Sequence, residues 1–127
     1  MRILLDTHAL LWNAEGNPSL SEEARRAIAS TDNEITVSIA SLWEMAIKVG
    51  LGKLKPSKPL SAIVEDAQRF GVVILPILPA HALAVEKLPM HHRDPFDRML
   101  VAQAMAENLV LVTRDPAFEP YSIRCLW

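Results

Sequence analysis

Acidic side chains in separate stretches of the chain are the residues whose type and position could support chemistry. Asp6 ends an apolar run (RILLD), Asp115 comes two residues after another (LVLVT), and Glu44 lies in a nearly all-apolar helical stretch (IASLWEMAIKV). Asp94 and Asp97 stand three residues apart at the start of a further helical stretch, on neighbouring positions of one face. Because a buried carboxylate must be paired or bound to a cation, these acids predict a cation site.

The ligand chemistry favours Mg²⁺ or Mn²⁺. At ~4 Å and an effective dielectric constant of ~20, two carboxylates repel each other by ~4 kcal/mol, and a divalent cation removes that cost. Oxygen ligands, without a cysteine cluster or histidines at metal-site spacing, favour these ions over Zn²⁺. Such ions activate water and hold the phosphate in phosphodiester hydrolysis. Thr7 and Thr113 lie next to acids in the sequence and could orient a carboxylate or a water.

Each acid also has a simpler structural explanation. An aspartate before a helix is often only its N-cap, and Asp94 before Pro95 suits that role. Lys48, four residues after Glu44, could form an ion pair with it along one helix face. Taken singly these explanations stay open, but the combination of four chain segments favours the cation site.

Basic residues accompany the acids. Arg93, Arg98 and Arg114 each neighbour an acid in the sequence, and we expect them to bind substrate phosphates. The lysines of the loop-like stretch 50–59 (GLGKLKPSKP) could do the same or could form a solvated loop, and the sequence favours neither. The adjacent His91–His92 pair cannot face one way, so we expect surface or substrate contacts rather than metal ligation.

Strands and helices alternate along the chain. We predict strands over 2–6, 35–38, 72–75, 109–113 and 122–126, and helices over 8–13, 21–30, 40–49, 60–70, 80–88 and 96–108. Apolar strands between helices are typical of an α/β protein with a parallel sheet covered on both faces. Sites in such sheets lie beyond the carboxyl ends of the strands, where this order of elements brings the acids together.

Length and composition limit the number of domains, the compartment and the possible disulfides. A length of 127 residues, half of them hydrophobic and 22% charged, predicts one domain over residues 1–127. No apolar run reaches the ~18 residues of a membrane span, so we expect a soluble, cytoplasmic protein. The net charge of −2 gives no global attraction to nucleic acid, and the single Cys125 excludes an intramolecular disulfide.

Four blocks of the sequence together resemble the PIN domain, and specifically the VapC-type toxins of toxin–antitoxin pairs. In order along the chain they are LLDTHALLW, SIASLWEMAIK, HHRDPFDRMLVAQA and LVLVTRDPAF. By this resemblance Asp6, Glu44, Asp97 and Asp115 match the family's catalytic, metal-binding acids. Asp94 resembles an additional acid of this subgroup, in a supporting role with Thr7 and Thr113.

The resemblance carries expectations for the whole protein. It implies a three-layer α/β/α sandwich with a mostly parallel central sheet, and an endoribonuclease that depends on Mg²⁺ or Mn²⁺ and hydrolyses RNA. It also implies a homodimer and a small antitoxin protein whose helix lies in a groove near the first helices. We expect apolar positions at Trp12, Leu51, Leu54 and 62–70 to contribute to that contact surface.

Four other classes of protein share part of this sequence pattern. A haloacid-dehalogenase phosphatase needs a second aspartate two residues after the first, where this chain has His8. A phosphoacceptor receiver domain needs an acidic pair after the first strand and an aspartate after the third, where Asp6-Thr7 and Pro76 stand instead. A non-catalytic metal-binding interaction module and a DNA-directed metallonuclease remain open alternatives.

Overall fold

Each strand and helix predicted from the sequence is present in the computed structural model, which describes residues 1–127. The strands are β1 (Arg2–Leu5), β2 (Glu34–Ser38), β3 (Val73–Leu75), β4 (Val110–Val112) and β5 (Cys125–Leu126). The helices are α1 (Thr7–Glu15), α2 (Glu22–Ala29), α3 (Ile39–Gly50), α4 (Leu60–Arg69), α5 (Pro79–Glu86) and α6 (Pro95–Glu107). A short 3₁₀ helix over Pro116–Phe118, which the sequence analysis did not predict, follows β4.

The central strand of the sheet is β1. The five strands are all parallel in the order β3-β2-β1-β4-β5, and Leu4 pairs with Thr36 on one side and Leu111 on the other. The chain moves from β1 to β2 and β3 toward one edge and then returns past β1 to β4. Such a reversal between adjacent strands opens a crevice outside their carboxyl ends, and here it lies beyond β1 and β4.

Helices cover both faces of the sheet. Ile3 and Leu5 of β1 belong to one hydrophobic cluster, which includes buried residues of α1, α2 and α4. Leu4, pointing the other way, belongs to a second cluster with buried residues of α6, on which α5 packs. Successive residues of a strand point to opposite faces of the sheet, so each short apolar strand contributes side chains to both hydrophobic clusters. The predicted three-layer α/β/α sandwich with a parallel sheet is confirmed.

Local side-chain contacts fix where the helices begin and end. Ser21 accepts a hydrogen bond from Ala24 N–H at the start of α2, and Ser38 accepts one from Ala40 N–H at the start of α3. The left-handed Gly16 (φ 62°) ends α1. No helix has the length and apolar character needed to cross a bilayer.

Candidate active site

Asp6 lies at the end of the central strand and is 6% exposed. It is the N-cap of α1, with its Oδ1 accepting a hydrogen bond from Ala9 N–H at 2.7 Å. Burial raises the pKa of Asp6, while hydrogen bonds from Thr113 and from the Ala9 backbone act in the opposite direction. The capping alternative is therefore correct for Asp6, and the cap itself holds the carboxylate at the crevice.

Asp115 reaches the same place from β4. Its N–H donates to Thr113 Oγ1 at 3.1 Å, and its Oδ1 accepts from Ala117 N–H at 2.9 Å, which caps the 3₁₀ helix. The negative charge of Asp115 contributes to the raised pKa of Asp6. Thr113 thus contacts the Asp6 carboxylate and the Asp115 backbone.

Glu44 faces the crevice from α3 and is 6% exposed. Thr7 Oγ1 donates to its Oε1 at 2.7 Å, and Lys48 Nζ lies 2.8 Å from its Oε2. Glu44 therefore forms the predicted ion pair along the helix face, and it also accepts a hydrogen bond from Thr7. Thr7 links α1 to α3 at this point.

Asp94 and Asp97 begin α6. Asp94 is the N-cap, with its Oδ1 accepting from Phe96 N–H at 2.8 Å and Asp97 N–H at 3.1 Å. Burial, and then the charge of Asp94, raise the pKa of Asp97 to about 7, with further contributions from Glu44 and Asp6. The charges that act on Asp97 thus come from three chain segments, and the fourth, that of Asp115, acts on Asp6.

His92 is the site residue that the sequence analysis did not assign. Its Nε2 lies 2.9 Å from Asp97 Oδ2 and 3.8 Å from Asp115 Oδ2. One ligand atom from each of these three residues could contact a single ion, since the three atoms lie within 4.8 Å of one another. The expected surface position fits only His91, which is exposed and packs against Tyr121 with the ring centroids 5.1 Å apart.

The three arginines have different environments. Arg98 is 7% exposed, and its guanidinium donates to the carbonyl oxygens of Val85, Leu88, Pro89 and His92 and to the Tyr121 hydroxyl. The expectation that Arg98 binds substrate is therefore wrong, because its donors are already used within the fold. Arg93 and Arg114 are exposed, and Arg114 lies over the Trp12 ring, 4.7 Å from its centroid.

The basic stretch 50–59 lies at the opposite end of the sheet from the acids. Ser57 N–H donates to the carboxylate of Glu15, at the far end of α1, and Lys58 forms an ion pair with Asp66. α1 and α3 both run away from the crevice, and twelve residues of α3 span about 18 Å. This position favours the solvated-loop explanation over phosphate contact at the site.

The donor set fits a hard divalent cation. Asp97 and Asp115 offer carboxylate oxygens close enough to share one ion, whereas Asp6 and Glu44 stand outside that group and act on it through their negative charge. Lys48 is the only Lys or Arg that forms an ion pair with any of these four acids. Oxygen ligands with excess negative charge are what Mg²⁺ and Mn²⁺ require.

Comparison with known proteins gives matches over nearly the whole chain. The family model of the PIN domain matches residues 3–123. Ribonuclease VapC22 of Mycobacterium tuberculosis is 29% identical over 118 residues, covering 89% of this chain and 86% of the relative. Ribonuclease VapC16 of the same organism is 43% identical over 47 residues, which is 37% of this chain and only 33% of that relative.

A solved structure has the same fold. In the crystal structure of VapBC2 from Rickettsia felis, bound to a DNA fragment from its promoter, one chain superposes with a TM-score of 0.74. The superposition covers 99% of this chain and 98% of that one, at 18% identity.

Proposed function

The chain belongs to the PIN-domain family, and we propose that it is an endoribonuclease of the VapC type, the toxin of a type II toxin–antitoxin pair. The observation that carries the proposal is the convergence of acids from four segments on the crevice beyond β1 and β4. Two relatives named as VapC ribonucleases support it. We also propose the cytoplasm as its compartment, where RNA is available to it.

In this proposal Asp6, Glu44, Asp97 and Asp115 hold Mg²⁺ or Mn²⁺. When bound, the ion supplies Lewis-acid activation of water and neutralises charge on the phosphate. The chain's own residues orient the acids: Thr7 donates to the Glu44 carboxylate, Thr113 donates to Asp6, and the Ala117 N–H donates to the Asp115 carboxylate. Asp94 acts through its cap on α6, which directs the first turn of that helix toward the crevice.

In this proposal the two exposed arginines, Arg93 and Arg114, bind the phosphates of the RNA. Arg93 and Arg114 adjoin Asp94 and Asp115 in the chain, and neither forms an ion pair with a carboxylate. Their charge would offset the repulsion between the acidic crevice and the RNA backbone.

Cleavage of a single-stranded RNA by purified, antitoxin-free protein tests this function. We expect cleavage with Mg²⁺ or Mn²⁺, none after EDTA treatment, and recovery when the cation is added back, because the acids alone cannot activate water or bind a phosphate. A DNA strand of the same sequence is the matched substrate control. Faster cleavage of the DNA would favour a DNA-directed metallonuclease, and cation binding without turnover on either strand would favour the non-catalytic module. Undiminished cleavage in EDTA would contradict the metal mechanism.

Two apolar surfaces support the proposed protein partners. A cavity of about 490 Å³ lies among α1, α2 and α4, and its rim includes Phe70, which is 85% exposed. Its place between the first helices suits a helix of a small antitoxin, although Trp12 and Leu54 pack against the core.

A second surface follows one face of α3, where Ile39, Trp43 and Ile47 are 39%, 59% and 38% exposed. We assign this stripe to the homodimer.

A pair of exposed-residue variants separates the two surfaces. We expect Phe70→Glu to weaken binding of the antitoxin encoded beside this chain by at least about tenfold and to leave the homodimer intact, because a charge desolvated in an apolar contact is costly. Trp43→Glu should do the reverse. Light scattering gives the oligomeric state, and calorimetry with the purified antitoxin gives the affinity. An unchanged affinity for both variants would contradict the assigned groove.

A further inference from the structure

His92 is held by contacts of its backbone and of its imidazole ring. Its backbone N–H donates to the Tyr121 hydroxyl at 2.9 Å, and its carbonyl accepts from Arg98 Nη1 at 3.3 Å. Its Nδ1 accepts from Asp94 N–H at 3.2 Å. The ring packs edge-on against Phe118, with the centroids 5.7 Å apart. The direction in which Nε2 points is thus fixed by the fold.

The same contacts determine which ring nitrogen carries the proton. Because Nδ1 accepts the Asp94 N–H, the neutral ring has its hydrogen on Nε2. That Nε2–H is buried, lies 2.9 Å from Asp97 Oδ2, and has no aligned hydrogen-bond acceptor. An N–H donor, and not a lone pair, therefore faces the carboxylates of Asp97 and Asp115.

We propose that His92 is a positioning residue of the cation site, whose Nε2–H donates to Asp97 Oδ2 and fixes that carboxylate as a ligand. The inference rests on the proposed function, because it assigns a role at the same site. A small rotation of the carboxylate completes the hydrogen bond at the present distance. Ligand carboxylates are commonly held by such hydrogen bonds, and losing one typically weakens metal affinity about 10–100-fold.

Direct ligation by His92 is disfavoured by the same geometry. A nitrogen ligand would need its lone pair at Nε2, which would move the proton to Nδ1. Nδ1–H would then face the Asp94 N–H, placing two donors against each other in a partly buried position. Leaving a buried donor without an acceptor costs about 1–3 kcal/mol.

Mn²⁺ titration of the metal-free full chain by calorimetry tests this role. We compare His92→Leu, which removes the donor, with His92→Gln, whose side-chain amide keeps an N–H near the position of Nε2. We expect Mn²⁺ affinity to fall about 10–100-fold for the leucine variant and to stay within about threefold of wild type for the glutamine variant. His91→Leu is the matched control and should bind Mn²⁺ as wild type does, since that ring packs against Tyr121.

A second measurement distinguishes positioning from ligation. Electron spin-echo spectra of the Mn²⁺-loaded wild type, with and without ¹⁵N-labelled histidine, should show no directly bound nitrogen. A directly bound nitrogen, equal affinity of wild type and His92→Leu, or a glutamine variant as weak as the leucine variant would each overturn the proposal while leaving the nuclease in place. Absence of Mn²⁺ binding by the wild type would overturn the cation site itself, and this role with it.

Discussion

Asp97→Asn is expected to abolish RNA cleavage. The substitution keeps the shape of the side chain and removes one negative charge from the proposed ligand set. Losing one preorganised charged group at a reacting phosphate costs about 10²-fold or more in rate, which can be followed as initial cleavage rates at saturating Mg²⁺. Asp32→Asn, at an exposed acid in a loop, is the matched control and should cleave as fast as wild type.

The same variant should stabilise the metal-free protein at neutral and higher pH. The pKa of Asp97 is raised in the folded state to about 7, against about 3.9 when unfolded, so the folded chain keeps a proton that the unfolded chain has lost. The free energy of unfolding of the wild type therefore falls as the pH rises from about 3.9 to about 7. The Asn variant has no carboxyl group at this position, so its stability does not fall for this reason. We expect a gain on the order of 2 kcal/mol, or roughly 5–10 °C in Tm, at about pH 8 with EDTA, and little difference near pH 4.

These two results must occur together to support the site. Lost cleavage with unchanged or increased Tm assigns Asp97 to cation binding. A large loss of stability at every pH would instead assign the acid to the structure of α6, and the cleavage result would then say nothing about chemistry.

Arg98→Met should be the most destabilising single substitution among the arginines. The guanidinium donates to four carbonyl oxygens and one hydroxyl, and in the variant these acceptors lose their partners in a water-poor region. Unsatisfied buried groups cost about 1–3 kcal/mol each, and partial access to water lowers the sum, so we expect a loss of about 3–5 kcal/mol in the free energy of unfolding. Lysine, a point charge without the planar fork, should recover only part of it.

Urea denaturation measures this loss, and Arg93→Met serves as the control. Arg93 is exposed, so its substitution should change the free energy of unfolding by less than about 0.5 kcal/mol. If Arg98→Met left stability unchanged and only weakened RNA binding, the phosphate-binding role expected from its sequence position would be restored.

The sequence predicted those parts of the site that follow from strand ends. Asp6 ends one apolar run and Asp115 comes two residues after another, and parallel strands bring such positions to one edge of a sheet. Glu44 was identified because a carboxylate in an apolar helix needs a partner. Asp94 was identified as a cap from the proline after it. These features depend on local patterns and periodicity, and the fold class followed from the same patterns.

The parts that escaped prediction depend on contacts between distant segments. His92 faces the acids because Tyr121 and Arg98 fix its backbone. The sequence spacing of these three residues does not predict that they are in contact. For Arg98 a signal was present: it precedes Val101 and Ala102 by three and four residues, on the buried face of the helix. Its position beside an acid favours phosphate contact, whereas the helical periodicity correctly indicates burial.

The order of the strands also determines how late in synthesis the acidic crevice is completed. The N-terminal part of the chain contributes Asp6 and Glu44, whereas Asp97 and Asp115 follow after α5, on α6 and beyond β4. Because a domain folds as a unit, a ribosome making this chain carries an incomplete crevice until β4, which pairs with β1, has been made. Late synthesis of one central strand thus means that the proposed site is completed only when nearly the whole chain has been made.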